Sequence, residues 1–367
     1  MAPPKYQVML KWVWDTYRKN VVRASYIASK QRDYMEKVEA GNSDRAIVFL
    51  VPGKNKVNGG VMSIYMIAGE TEQLKEIHQA DVFICSYPGS PPLLRITKFP
   101  NNAIILDFKS LLTRFKKGTE VLVHIPEIFV SEFLVQARQQ IASRDFRWHF
   151  NIMLQNIDLA PTREDIRTLS EFGSVTVTAA HVAYSGAETE RALGCTVHHL
   201  SARASPEPYE RKSFSERENI FVISPDPHER RKEILSELRR RLPDFRFITV
   251  KRMTYSEYRK LIASAKFSLT FGEGMDGYFT EMTFGGGIGC AVYNTRFFTE
   301  PFASLPFVYD SWDTLLLNLP DDVRAANTAE QYDRNNMEPC SLLSEIYSPD
   351  IFREKVKSYY SIHFRSE

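Results

Sequence analysis

The chain has only four cysteines in 367 residues, and Cys85, Cys195, Cys290 and Cys340 stand far apart. Without a Cys-x-x-Cys pair, neither a zinc site nor a redox pair is expected. Cys85 and Cys290 lie in apolar, strand-like runs where a buried free thiol is the ordinary outcome, so a reducing compartment fits. No run of eighteen apolar residues occurs and the N-terminus has no apolar signal core, so a cytoplasmic protein without a transmembrane helix is expected. Net charge is scarce too: 47 basic against 45 acidic residues leave +2, which argues against a strongly cationic nucleic-acid binder. Internal repeats and low-complexity segments are absent.

What is present is a globular composition, 43% apolar and 12% aromatic, over a length that suits two domains. Residues 6–38 read as one amphipathic helix. Met9, Val13, Tyr17, Val21, Ala24 and Ala28 recur at helical spacing, with Trp12 and Trp14 beside them. Residues 1–40 carry eight Lys or Arg against four acids. Such a helix either packs on the body of the protein or lies on an anionic membrane surface.

Apolar strand runs follow at 46–51, 80–86, 103–106, 120–125, 148–154, 174–180 and 196–200. The first ends in a loop containing Gly59 and Gly60 at a helix start, where Lys54 and Lys56 add charge. That is either an anion-friendly cradle or a plain turn and cap. The strand over 120–125 ends in His124-Ile-Pro-Glu127. Ligands of α/β sheets bind beyond the carboxyl ends of strands, so His124 and Glu127 are candidate cleft residues. Either is a polar contact or a general base for a hydroxyl, unless both are ordinary loop residues. His198 and His199 are adjacent on a strand and face opposite sides, so they read as structural.

The polar, proline-bearing stretch 206–218 is the linker candidate. Beyond it, strands at 219–224 and 245–250 flank a charged helix over 228–242. Residues 266–294 then give strand, glycine loop, short helix, glycine stop and strand. Gly272, Gly274 and Gly277 let the backbone turn tightly. Glu273 stands at the strand tip, and Glu281 follows after seven intervening residues inside the helix. A helix N-terminus suits a diphosphate, and a carboxylate one turn in can take two hydrogen bonds from a ribose diol.

Residues 273–281, Glu-Gly-Met-Asp-Gly-Tyr-Phe-Thr-Glu, resemble the donor-site motif of retaining GT-B glycosyltransferases, and the helix and strand of 253–269 resemble the segment before it. The likeness covers about forty residues. Asp276 stands where that family usually has glycine, and Met282 where it has alanine. The resemblance implies an α/β protein of GT-B fold, two Rossmann-like domains facing a central cleft. An N-terminal helix (1–40), acceptor domain (41–205), linker (206–218), nucleotide-sugar domain (219–344) and C-terminal cross-over helix (345–367) would follow in order.

It implies transfer of a sugar from a nucleotide-sugar to a hydroxyl acceptor, a glycan or lipid-linked one. Glu273 would be catalytic, with His124 or Glu127 at the acceptor. Glu281, Gly274, Gly277, Gly59, Gly60 and the basic residues Arg231, Lys232 and Arg252 would hold the donor. The family's phosphate-binding arginine falls at Pro225 or Asp226 here, so Lys251 and Arg252 are its candidate replacements. Arg230, Arg231 and Lys232 otherwise read as a solvated helix face. No Asp-x-Asp occurs, and neither metal nor cofactor is expected. An epimerase on the same fold and a non-catalytic binding subunit are the rival expectations.

Overall fold

The computed structural model describes residues 44–53, 59–89, 105–201, 209–251, 253 and 255–366, with isolated positions between 14 and 36. Lys54, Lys56, Arg252 and most of the expected N-terminal helix lie outside the described residues. Its described positions are helical, and Met35 packs against the first core.

Two parallel sheets organise the chain. The first orders its strands β3-β2-β1-β4-β5-β6-β7: β1 (Arg45–Val51), β2 (Asp81–Ser86), β3 (Ile105–Asp107), β4 (Glu120–Pro126), β5 (Arg147–Leu154), β6 (Gly173–Ala179) and β7 (Val197–His199). The second orders β12-β11-β10-β8-β9: β8 (Glu218–Ile223), β9 (Arg246–Thr249), β10 (Ala265–Leu269), β11 (Ile288–Val292) and β12 (Val308–Tyr309). Every described ladder is parallel. Helices cover both faces, which is why β1 reads as an unbroken apolar run and is buried from Ala46 to Val51.

Each sheet has one switch point where the strand order reverses. In the first it lies between β1 and β4, in the second between β8 and β10. Loops diverge there and leave a crevice at the carboxyl ends. The four loops that matter therefore follow Val51, Pro126, Ile223 and Leu269.

The lobes are joined twice. The 201–217 connection leads out, and the Pro349–His363 helix returns. Ser348 caps that helix by accepting from Ile351 N at 3.2 Å, and Pro349 fits its first position. Phe352, Val356, Tyr359, Tyr360 and Phe364 are buried among Ile47, Phe49, Val61 and Leu122 of the first lobe. The boundary expected at 344/345 falls inside the Ala329–Tyr347 helix, so the crossing element begins at Pro349.

Candidate functional site

The second-lobe part of the site is the loop after β10. Ser224 Oγ accepts from Phe271 N at 2.8 Å and ties the tips of β8 and β10 together. Gly274 has φ +87°, and a Cβ there would meet the Phe298 ring at 2.4 Å and Val292 O at 3.0 Å, so only glycine fits. This turn aims Glu273 away from its own sheet toward the first lobe. Burial and nearby Asp226 raise the Glu273 carboxyl above its ordinary value.

Across the gap, Glu127 follows β4 at the first switch point. It is 6% exposed, and its Oε1 accepts from Asn156 N at 3.0 Å. Burial pushes its carboxyl up to about 7, with Glu273 adding to the rise. His181, at the end of β6, stands 4.0 Å from Glu273. Burial lowers its imidazole to about 4, so the contact is polar rather than an ion pair near neutral pH. Tyr184 is buried beside the two glutamates, and its hydroxyl donates to Gln155 O at 2.5 Å. Arg296 pairs with Asp158 across the rim, and Phe297 meets His181 edge-on at 5.3 Å. The two lobes thus bring two carboxyls of raised proton affinity to one crevice.

The Gly277–Phe284 helix begins just behind Glu273. Asp276 caps it, with Oδ1 accepting from Tyr278 N at 2.9 Å and Phe279 N at 3.3 Å. The helix N-terminus expected to be open for a diphosphate is occupied by this side chain. The cause is local: an aspartate one residue before the helix satisfies its orphan N–H groups. Glu281, one turn in, is 5% exposed and accepts from Tyr255 OH at 3.3 Å through Oε1. Its Oε2 has no hydrogen-bond partner, and burial pushes the carboxyl up to about 8. With Ser256, Arg259 and Lys260 it lines a cavity of about 130 Å³.

His124 is the clearest departure from expectation. It does not line the crevice: it is 1% exposed, stacks on Phe49 at 4.2 Å, and bonds Asn151 Nδ2 at 2.8 Å and Tyr360 OH at 3.0 Å. The returning C-terminal helix covers this strand face, which its position near the end of an apolar run could not reveal. Burial lowers its imidazole to about 3, so it is a neutral core group. Gly59 and Gly60 open the Gly59–Glu72 helix, with open space around Gly59, and Gly60 O accepts from Gln155 Nε2 at 2.9 Å. Gly277 is exposed at the start of its helix. Arg231 lies against the second switch point, donating to Asp226 O at 3.0 Å and stacking on Phe271 at 4.6 Å. Lys232 is exposed on the helix face. His181 and Tyr184 were not singled out, although His181 stands at the end of a parallel strand and carries the same signal as Glu127.

No family model and no curated protein sequence matches the chain. Solved structures do. Sucrose-phosphate synthase from Thermosynechococcus elongatus aligns with a TM-score of 0.51 at 10% identity, over 86% of this chain and 98% of that one. Anabaena HepE, solved with UDP and glucose, aligns with a TM-score of 0.55 at 9% identity, over 86% and 99%. HepE solved with UDP-glucose aligns at 0.51. At this identity the likeness is one of fold. The chain has the GT-B fold that the 273–281 stretch led one to expect.

Proposed function

We propose that the chain is a glycosyltransferase that moves a sugar from a nucleotide-sugar to a hydroxyl acceptor. The observation carrying this is the approach of the two lobes at their switch-point loops, where Glu273 stands 4.0 Å from His181 of the first lobe and within electrostatic range of Glu127. Glu273 would support the oxocarbenium-like charge that develops at the transferred carbon. Glu127, ionised for part of the time near neutral pH, would take the acceptor's proton. Glu281 would meet the ribose diol, and Arg231 with backbone N–H groups would face the phosphates without a metal. The complex of HepE with UDP-glucose supports a nucleotide-sugar as donor.

Retention rests on the motif resemblance. So does a glycan or lipid-linked acceptor of surface polysaccharide synthesis. We assign the reaction to the cytoplasmic side, with the basic N-terminal stretch touching the inner membrane face. Trp14, Val21 and Tyr26 are exposed there, and no helix of the described residues is long and apolar enough to cross a membrane. A second reading, a binding subunit without catalysis, is favoured by Asp226 and Asp276 standing where phosphate would bind.

Release of nucleoside diphosphate from UDP-, GDP- and dTDP-sugars tests the proposal. Glu273→Gln is expected to lower kcat on the order of 100-fold with donor binding little changed. Glu281→Ala is expected to weaken donor binding about tenfold. Unchanged kinetics in both folded variants would remove the assignment, and wild-type protein inert toward every donor favours the binding-subunit reading.

A further inference from the structure

We propose that Asp276 is a built-in competitor for phosphate: its carboxylate fills the anion-binding end of the Gly277–Phe284 helix and has to swing away before a diphosphate can seat there. The inference rests on the donor-lobe reading given above.

Three observations support it. First, Asp276 Oδ1 already takes Tyr278 N at 2.9 Å and Phe279 N at 3.3 Å, and Oδ2 takes the Thr270 hydroxyl. These N–H groups are the ones a helix start offers to an anion. Second, a like charge crowds the same spot. Asp226 Oδ2 and Asp276 Oδ2 lie 3.0 Å and 3.2 Å from the point where a Cβ on Gly272 would stand. A diphosphate entering with both side chains in place would meet the Asp226 carboxylate and, whenever it is ionised, that of Asp276 at close range. Third, the ligand face of this same turn is half prepared. Glu281 reaches back until its carboxyl carbon is 3.9 Å from the Cβ position of Gly277, and its buried Oε2 has no hydrogen-bond partner. That oxygen is an acceptor suited to a ligand hydroxyl, one helical turn from an anion site that the chain has filled itself.

A tethered carboxylate competes at high effective concentration. Donor capture is therefore coupled to a side-chain rotation at Asp276, and the resting protein holds diphosphates weakly. Asp276 acts here on specificity and access rather than on the reacting atoms.

Calorimetric titration of the full chain with inorganic pyrophosphate, UDP, GDP and dTDP tests this, with Asp276→Gly, Asp276→Asn and melting curves as a check on folding. Asp276→Asn keeps an oxygen for the helix N–H groups and removes the charge, and Asp276→Gly frees the site. Pyrophosphate is expected to bind at least tenfold tighter to Asp276→Gly and several-fold tighter to Asp276→Asn. No tightening in either folded variant, including no binding at all, overturns the competitor. Equal binding of a nucleoside diphosphate to wild type and Asp276→Gly also overturns it while leaving the donor reading intact. Tightening for pyrophosphate, with no nucleoside diphosphate binding better than pyrophosphate, supports the competitor and sinks the nucleotide-sugar reading.

Discussion

Glu281 gives the most direct test of the buried site chemistry. Its carboxyl ionises near 4.5 in an unfolded chain and at about 8 in the folded one, because burial outweighs the Tyr255 hydrogen bond and the nearby Arg259 charge. Between these values the unfolded state has released the proton and the folded state has kept it. Stability therefore falls as pH rises through that window. At about 1.4 kcal/mol per pH unit, Glu281 costs the fold about 3 kcal/mol by pH 7 and little at pH 5. Glu281→Gln keeps the shape and cannot ionise. It is expected to match wild type near pH 5 and to exceed it by about 3 kcal/mol at pH 7, roughly 4 °C in melting temperature for a chain of this length. Urea or thermal unfolding at pH 5, 7 and 8 measures this. Glu127 and Asp276, both raised to about 7, tilt the wild-type curve the same way, but they cancel in the difference between wild type and variant. Parallel curves for wild type and Glu281→Gln across the whole range would mean that Glu281 is ionised when folded, and the reasoning would fail. A group that weakens the fold at neutral pH fits the binding role proposed for Glu281 better than a stabilising one.

Two further perturbations probe the frame around the site. Gly274→Ala forces a side chain into φ +87° and against the Phe298 ring, and it is expected to cost about 2–5 kcal/mol in thermal unfolding. His124 ionises at about 3 when folded and near 6.5 when unfolded, so wild-type stability is expected to drop as pH falls from 6.5 toward 3. His124→Phe should lose that acid sensitivity while costing about 1–3 kcal/mol at neutral pH, because Asn151 and Tyr360 lose a partner. Equal acid sensitivity in variant and wild type would contradict the buried neutral imidazole.

Most of the scaffold was legible because strands buried on both faces announce themselves as apolar runs. The 266–294 stretch holds the expected order of strand, glycine loop, short helix and strand, with β10 and β11 each displaced toward the N-terminus from the apolar runs at 267–271 and 290–293. The Ala329–Tyr347 helix was missed, since Asn335, Asn336 and Pro339 break the local signal. Its reason for existing is tertiary: Asn336 Nδ2 donates to Thr283 O at 2.8 Å and Gly287 O at 2.7 Å, satisfying carbonyls at the end of the Gly277–Phe284 helix. The Val130–Ala142 and Arg163–Ser170 helices went unread behind stronger strand signals. At the site, Glu127 and Glu273 could be picked out by their place at strand ends. His124 could not be judged by that rule, because what covers it comes from 236 residues away, at Tyr360. The capping role of Asp276 was visible only as a departure from glycine, and its effect needed the geometry of Tyr278 and Phe279.

The returning helix has a consequence for how the protein is made. Residues 349–364 complete the face of the first sheet that carries Phe49 and His124, yet they are synthesised after every strand of both sheets. The lobe synthesised first must wait with an uncovered apolar flank, while the lobe synthesised second can finish its own core. Nascent chains would then depend on chaperone cover at the early lobe until residues 349–364 emerge.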